Sequence, residues 1–327
     1  MRLTVGQNDY TALKSFSFSP QTDVISAAVP INQVQMDVYT TDDIAVGQYC
    51  DIYDDMDNLW AHYYITYAEH LNAQTVRVEA ESPLVLIDRI KLPAVMYNGG
   101  QADLIMEDIL TDIPHEIDAS ITDVIDGYCP EQSVRERLQW LCFVCGTYVK
   151  SWEDKVYIVP LDNTETFISR DNVFWKPSVT YNDYVTTLTA KYYAFTQGTP
   201  QTGEDSVSVD GVEYIVSETT FTLTNPSVPS GAIGTTVEVN GLYLLNSSNI
   251  SSVMAHISQI YFQRTEVDAE IINNEFVIQP GQRVILPIDD SSAASGYVEN
   301  VNFTIGVQAR AAVHLVAAET RECANLE

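Results

Sequence analysis

Two stretches far apart in the chain share one pattern, and this repeat most restricts the folds open to it. Residues 46–55 (VGQYCDIYDD) and 280–290 (PGQRVILPIDD) each hold a Gly-Gln pair, a short apolar run and an Asp-Asp pair. Strand-like segments follow each of them, over 61–81 and 295–319. The glycines of the two Gly-Gln pairs, at positions 47 and 281, are 234 residues apart. Self-similarity at a fixed distance indicates duplicated units. We therefore expect two related β units with a module inserted between them.

The rest of the chain predicts an α+β fold that is mostly β. Runs rich in β-branched and aromatic residues, separated by polar turns, fill the first ~90 residues and return after ~165. We expect two related small β-barrels joined by a helix-hairpin α/β module, with an additional β-rich insertion. The expected boundaries are 1–90 for the N-terminal barrel, 91–165 for the middle module and 166–327 for the second barrel region, with the insertion near 195–248 and a helix near 249–263.

Local signals place the helices and hairpins outside the repeat. Two Asx-Gly pairs, Asp210-Gly211 and Asn240-Gly241, lie between alternating runs and predict two β-hairpins. A helix is predicted just after Gly100, with this apolar face: Leu104, Ile105, Ile109 and Leu110. A later helix, with Ser248 or Asn249 as N-cap, has this apolar face: Ile250, Val253, Met254, Ile257, Ile260 and Tyr261.

A Cys-x-x-Cys pair, Cys142 and Cys145, lies in the middle of the chain. Ser133 and Glu136 form a capping-box pattern that starts a helix, and Gly146 is placed to end it. Both cysteines therefore lie near the helix C-terminus and on its apolar face, where a thiolate is disfavoured. Core packing is favoured over the alternatives, a redox or a zinc site. The residues up to Leu161 predict a strand, a turn and a second strand.

The charge balance restricts the partners. The net charge is −29, from 45 acidic and 16 basic residues, with no Lys or Arg between Lys191 and Arg264. Phosphate contacts need basic residues, so nucleic acid and anionic membrane surfaces are disfavoured. The acidity favours simple solubility or, alternatively, a surface along which DNA slides without binding. No apolar run reaches the ~18 residues of a membrane span, and the N-terminus has no signal-like stretch. We expect a soluble protein made in a cytoplasm.

No residue pattern predicts catalysis. The five cysteines do not suggest a disulfide framework. The five histidines, which lack metal-ligand spacing, are His62, His70, His115, His256 and His314. An acidic cluster could offer oxygens to Ca²⁺ but is interpreted as a solvated turn; its members are Asp51, Asp54, Asp55 and Asp57. The turn at 287–296 is interpreted in the same way. No catalytic, cofactor-binding or metal-binding residue is assigned, and the chain is expected not to be an enzyme.

The stretch from Ser133 to Leu161 resembles a unit of the baseplate or tail-tip hub proteins of tailed phages and related contractile particles. In that family a Ser-x-Arg-Glu-x-Leu-Gln helix leads into Gly-x-Tyr and a short hairpin. The matching positions are Ser133, Arg135, Glu136, Leu138, Gln139, Gly146 and Tyr148. Further segments that fit the family are 81–89, 102–110, 260–264, 278–288, 296–305 and 309–316. Residues 195–248 match nothing specific.

The resemblance implies a structural role in a virion tail or a phage-derived particle. It implies a homotrimer whose subunits each give two related barrels, so that a pseudo-sixfold ring adapts a hexameric tail tube to a threefold spike or tip. Expected partners are copies of the chain, a tail-tube or distal-tail protein and a spike or tip protein, with DNA passing unbound. One alternative is a β-rich adhesion or carbohydrate-binding protein, which 19 tyrosines and 4 tryptophans would suit. A tail-associated hydrolase is the third.

Overall fold

The structure is a computed structural model that describes residues 1–273, 277–304 and 310–322. Part of the predicted repeat, residues 305–309, and Cys323 lie outside the described residues. The N-terminal strands are β1 (Arg2–Val5), β2 (Asn8–Tyr10), β3 (Leu13–Phe18), β4 (Gln33–Tyr39), β5 (Tyr49–Tyr53), β6 (Leu59–Asn72) and β7 (Thr75–Glu81).

The middle of the chain mixes helices with short strands. Its elements are β8 (Lys91–Leu92), β9 (Val95–Gln101), α1 (Ala102–Ile109), β10 (His115–Ile117), β11 (Val124–Cys129), β12 (Gln132–Ser133), α2 (Val134–Cys145), β13 (Thr147–Lys150) and β14 (Val156–Pro160).

The C-terminal part is again mostly β. Its elements are β15 (Glu165–Phe167), β16 (Ser178–Tyr181), β17 (Tyr184–Gln197), β18 (Ser206–Val209), β19 (Val212–Thr224), β20 (Gly234–Val239), α3 (Ile250–Tyr261), β21 (Thr265–Ile272), β22 (Arg283–Pro287), β23 (Ser292–Thr304) and β24 (Arg310–Glu322). No described helix is long and apolar enough to cross a membrane. The prediction of a mostly β chain is confirmed.

The N-terminal and C-terminal strands share one sheet of thirteen strands. We call β1–β7 the N-unit, and β15, β16 and β21–β24 the C-unit. Two strands join the units, because β3 pairs with β23 and sets Phe18 opposite Phe303. Their rings stack with centroids 6.0 Å apart, and Trp60 lies 4.8 Å from Phe303. A single hydrophobic core runs beneath both units. The sequence predicts two separate barrels, but the strands of the two units form one sheet.

Both units have the same strand order. The N-unit runs β3-β4-β7-β6-β5-β1, and the C-unit runs β16-β21-β24-β23 and continues through β22 to β15. Only the last pair differs in direction, being antiparallel between β1 and β5 but parallel between β15 and β22. The two stretches that the sequence repeat relates therefore occupy matching strands. This confirms that the repeat reflects structure.

The match extends to single hydrogen bonds. Gly47 N–H donates to the carbonyl of Ile65 at 3.0 Å, and Gly281 N–H donates to that of Val298 at 2.7 Å. In return, Ile65 N–H donates to the carbonyl of Gln48, and Val298 N–H donates to the carbonyl of Gln282, each at 2.9 Å. A register shift follows directly after Ile65 and directly after Val298. Since such a bulge is a positioned feature of a sheet, its repetition aligns the two units residue by residue.

A second hydrophobic core lies beside the sheet. It joins α1 and α2 and the strands around them to α3 and the strands β17, β19 and β20. These three strands and β18 form their own sheet, in the order β18-β19-β17-β20. The side chains that α3 buries are Ile250, Val253, Met254, Ile257 and Ile260. The β-rich insertion and the helix after it therefore pack on the middle module.

Helix α2 begins and ends as predicted. Glu136 N–H donates to the Ser133 hydroxyl at 3.2 Å, and Ser133 N–H donates to the Glu136 carboxylate at 2.8 Å. Gly146 has a left-handed backbone with φ of 65°, which favours glycine. The strands β13 and β14 then pair as the predicted hairpin. Cys142 is fully buried in the second core, which confirms the prediction that it packs there.

Two local predictions are wrong. Leu104 is 61% exposed, because α1 buries Ala102 and Met106 and continues the same face to Leu110. Asp210-Gly211 does join two paired strands, but Asn240-Gly241 does not. The chain after Asn240 buries three leucines in the second core, Leu242, Leu244 and Leu245, and leads into α3. Strand β20 pairs instead with β17, in parallel.

Candidate functional site: an acidic sheet face and two open strand edges

The solvent face of the large sheet is rich in carboxylates. Strand residues alternate between faces, so apolar side chains such as Val34 and Val267 enter the core while their neighbours point to solvent. The outward carboxylates of β4, β6, β7 and β21 are Asp37, which is buried beside Arg77, and Glu69, Glu79, Glu81, Glu266, Asp268 and Glu270. On the same face, β7 and β24 supply the guanidinium groups of Arg77 and Arg310. The face is therefore net negative across both units.

Neutral amides hold several of these carboxylates. Gln33 donates to Glu81 at 2.7 Å, and Gln35 donates to Glu79 at 2.8 Å. An amide donor orders a carboxylate without cancelling its charge. Asp37 differs, because its hydrogen bond from the Arg77 guanidinium lowers its pKa. Most carboxylates of the face therefore have no ion pair with Arg or Lys among the described residues.

A shallow groove marks this face in the C-unit. Its lining includes the exposed Trp175 together with Glu299 and His314. Burial raises the pKa of Glu299, and nearby Asp23 adds to the rise while His314 opposes it. His314 Nδ1 lies 2.8 Å from Asp268. The groove holds more acidic than basic groups, like the rest of the face.

The junction between the units covers two strand edges. Beyond its pairing with β22, the same edge of β23 meets β3, and Gln21 then bridges to Asn300. Phe18, Val301 and Phe303 are buried there. The junction thus turns two half-sheets into one and satisfies an edge of each.

The matching edges on the other side of each unit are open. No described strand pairs with β16 on the side opposite β21. On β6, the β5 pairing ends at Tyr64, and no described strand covers residues 66–72 on that side. We call residues 66–72 the β6 tail and residues 178–183 the β16 edge. Open edges are sites where a strand of another chain can pair.

The histidines and acidic residues singled out in the sequence lie at several separate places in the structure. His62 Nδ1 lies 2.6 Å from Asp51, and His70 lies 2.9 Å from Asp43, each at a different place on the N-unit. Asp54 is buried and accepts from the backbone of its own turn, so that turn is not solvated throughout. No group of three potential metal ligands occurs among the residues that the structure describes.

The remaining candidates are distributed through both cores. His115 Nε2 lies 3.1 Å from Glu107, and burial lowers the pKa of His256. Burial raises the pKa of the Cys142 thiol to about 12 and also raises that of Cys145, near Asp123. The free cysteines of the described chain are Cys50, Cys129, Cys142 and Cys145. A protonated, buried thiol is a poor nucleophile and a poor metal ligand.

Sequence reasoning missed the acidic face and the open edges for different reasons. The alternation of QVQMDVYT and TVRVEAE already indicates which residues point outward, so the face could have been found by mapping charge onto strand parity. The open edges carry no local signal. They follow only from which strands pair across more than two hundred residues.

Comparison with known proteins places the fold. No known family matches the sequence, and no curated protein is similar to it in sequence. Three solved structures are similar over 96% of the chain. A tail protein from Neisseria meningitidis MC58 has a TM-score of 0.69 at 10% identity, with 95% of its own chain covered.

The other two similar structures are also tail proteins. The 43 kDa tail protein of prophage MuSo2 from Shewanella oneidensis has a TM-score of 0.65 at 12% identity, with 97% of its chain covered. The prophage tail protein gp18 from Listeria monocytogenes EGD-e has a TM-score of 0.61 at 11% identity, with 93% covered. The chain therefore has the fold of these three tail proteins over nearly its whole length.

Proposed function

We propose that this chain is a structural hub protein of a phage-type tail, acting by assembly and not by catalysis. The observation that carries the proposal is the repeated unit: one chain presents two β units with the same strand order and the same bulge. Three such chains supply six similar units, which suits a pseudo-sixfold ring against a hexameric tube. The likeness in fold to three tail proteins supports the same role.

The ring joins two symmetries. Six β units meet the sixfold tail-tube or distal-tail protein, while the three copies of the rest of the chain meet a threefold spike or tip. The middle module and the inserted sheet occur once per chain, so they supply the threefold part. The proposed location is a virion tail or a phage-derived particle, after synthesis in a bacterial cytoplasm.

The acidic sheet face lines the conduit in this proposal. Its carboxylates repel the phosphates of DNA, so DNA passes without binding. A map of the assembled particle tests the placement: the rows that contain Glu79 and Asp268 should face the channel. Carboxylates gathered on the outer rim around a neutral or basic channel would contradict it.

The oligomeric state tests the role as a whole. Sedimentation over a wide concentration range, together with electron microscopy of the purified chain, should show a trimeric ring with a central opening. A chain that stays monomeric at every concentration and forms no ring in the assembled particle would refute the proposal.

One observation favours the alternative of an adhesion protein that binds carbohydrate. Trp175 is 70% exposed beside the polar groove of the C-unit, and an exposed aromatic ring suits a sugar face. Specific binding on a glycan array, lost in Trp175→Ala, would support this alternative. The same variant should leave a tail ring able to assemble if the hub proposal is right.

A further inference from the structure

We infer that the β6 tail of one copy pairs with the β16 edge of a second copy, in the register that β23 and β3 use within one chain. The inference rests on the proposed ring and names the surfaces that close it. The contact inside the chain serves as the template, because each of its two strands has an uncovered counterpart in the other unit.

Two rows of opposed residues set the correspondence. In the N-unit the row is Phe18, Val34, Ala80 and Ile65, and in the C-unit it is Val179, Val267, Leu315 and Val298. Each row ends at the residue, Ile65 or Val298, whose carbonyl accepts the hydrogen bond from the glycine of the Gly-Gln pair. Val179 therefore stands where Phe18 stands, and the β16 edge is the counterpart of β3.

The same rows align the two long strands. Counting from the shared bulge, Tyr67 corresponds to Asn300, and Ala68 corresponds to Val301. Inside the chain, Asn300 and Val301 contact Gln21 and Pro20 just after β3, whereas Tyr67 is 41% exposed and Ala68 is half-buried. The β6 tail is thus the uncovered counterpart of the covered end of β23.

The backbone geometry of the template can be carried over. Within the chain, Val301 N–H donates to Pro20 at 3.1 Å and Thr22 N–H donates to Glu299 at 2.9 Å. In the counterpart bonds, Ala68 N–H of one copy donates to the carbonyl of Tyr181 in the second copy. Asp183 N–H of the second copy donates to a carbonyl of the β6 tail in the first. The residues between these bonds, Tyr67 and Asn182, then stand opposite each other.

The β16 edge is oriented for these bonds. Asn182 N–H donates to the carbonyl of Arg264 at 2.8 Å, and the Arg264 guanidinium donates back to Asn182 at 3.4 Å. Backbone groups along an antiparallel edge point alternately toward and away from the neighbouring strand. The polar groups of Tyr181 therefore point away from β21, toward the uncovered side.

Exposed apolar side chains mark both edges. Tyr67 and Leu71 on the β6 tail are 41% and 39% exposed, and Tyr181 on the β16 edge is 58% exposed. Burying apolar surface of this kind stabilises an interface. Pairing the two edges would cover part of each ring.

The charges also complement each other. Arg264 lies over the rings of Tyr181 and Tyr184, at 5.4 and 4.2 Å, and has no ion pair in the described part of the chain. Glu69 points outward two residues beyond Tyr67. In the inferred pairing, this carboxylate and the Arg264 guanidinium of the second copy lie on the same face of the sheet.

The geometry commits to a second copy as the occupant. The two edges differ, so the contact is head-to-tail, and such contacts build closed rings when the rotation per step closes. Repeating one junction within and between chains makes all six steps alike. Three copies then leave neither edge open.

A mixing experiment with cysteine variants of the full-length chain tests the pairing. Tyr67→Cys and Asn182→Cys are purified separately, mixed at equal concentration and treated with a mild oxidant. A disulfide-linked dimer should form in the mixture and not in either variant alone. The double variant Tyr67→Cys/Asn182→Cys should give linked trimers. As a matched control, Gln21→Cys/Asn300→Cys should link within one chain and stay monomeric on a denaturing gel.

The outcomes separate this inference from the proposed function. Trimers that sediment normally but give no link in the mixture would overturn the pairing and leave the ring intact. Links in Tyr67→Cys alone would also overturn it, because they require a symmetric contact. If the chain forms neither trimers nor links in solution and no ring in the assembled particle, both the pairing and the ring are refuted.

Discussion

The two β units share a topology but differ in what their edges meet. In the N-unit, β3 is covered by β23 of the same chain, whereas its counterpart β16 is open. In the C-unit, β3 covers the end of β23. The counterpart of that end in the N-unit, the β6 tail, is open. The buried junction is aromatic, with Phe18 where β16 carries Val179. The covered junction buries Phe18 and Phe303 in the shared core, whereas the open edges keep Tyr67 and Tyr181 partly in solvent.

The comparison predicts its largest effect at the covered edge. Phe18→Ala should reduce the free energy of unfolding by about 3–5 kcal/mol, because it opens a cavity in the shared core. Val179→Ala, at the open edge, should cost within about 1 kcal/mol in the free chain. Urea unfolding of the two variants measures the difference, and equal losses would contradict the proposed asymmetry between the edges.

The repeated glycines give the next effect. Gly47 and Gly281 have φ of 90° and 85°, so Ala at either site should cost about 1–2 kcal/mol in backbone strain. A Cβ on Gly281 would lie 2.3 Å from the Tyr148 ring, whereas on Gly47 it would meet only the Tyr64 hydroxyl, at 3.5 Å. Gly281→Ala should therefore cost about 1–3 kcal/mol more.

Thermal unfolding of the two glycine variants checks this ranking. The double variant Gly281→Ala/Tyr148→Ala serves as the control, because it removes the ring that the new methyl group meets. The effect of Tyr148→Ala alone is subtracted from that of the double variant. The remaining loss of stability from Gly281→Ala should then be closer to the loss from Gly47→Ala. An unchanged difference would show that the glycines are not distinguished by this contact.

A smaller effect concerns association. Arg264→Glu should weaken the trimer by up to about 1 kcal/mol per interface, or about fivefold in affinity, because the inferred ion pair with Glu69 would lie on the solvent face of the sheet. The charge swap Glu69→Arg/Arg264→Glu should restore part of the loss. Sedimentation against concentration measures both variants. If the charge-swap variant forms trimers no more tightly than Arg264→Glu, residues 69 and 264 are not neighbours across the interface.

The smallest effect is a pH dependence at the bulge. The extra residue is Glu299 in the C-unit and Thr66 in the N-unit. Burial raises the pKa of Glu299 above its usual 4.5 in the folded state. The protonated form is thus favoured by folding, and its contribution is present below pH 4.5 and lost as pH rises through the raised pKa.

Glu299→Thr, which copies the other unit, removes this dependence. Its melting temperature should fall less than that of the unaltered chain between pH 4.5 and neutrality. Identical slopes for the two proteins would show that Glu299 does not titrate with a raised pKa.

Local patterns predicted the elements well where a single segment decided the outcome. Ser133, Glu136 and Gly146 set the ends of α2 through contacts within a few residues. The Gly-Gln repeat identified matching strands because the same hydrogen bonds act in both units. Asn240-Gly241 failed because the leucines after it gain more from the second core than from a return strand.

The long-range pairing could not be predicted from the sequence. Nothing near Phe18 or Phe303 indicates that they stand opposite each other, since strand register depends on the whole sheet. One shared sheet and two separate barrels give the same alternation in every strand. The candidate surfaces follow the same division: strand parity predicts the acidic face, but only the pairing shows which edges stay open.

A density map of the assembled ring tests the central claim most directly, because it shows which strand lies beside β16. We predict six repeats of one junction, with β3 beside β23 within each chain and the β16 edge beside the β6 tail of the next. Tyr67 should stand opposite Asn182, as Asn300 stands opposite Gln21. A ring in which β16 stays open, or meets any other strand, would contradict it.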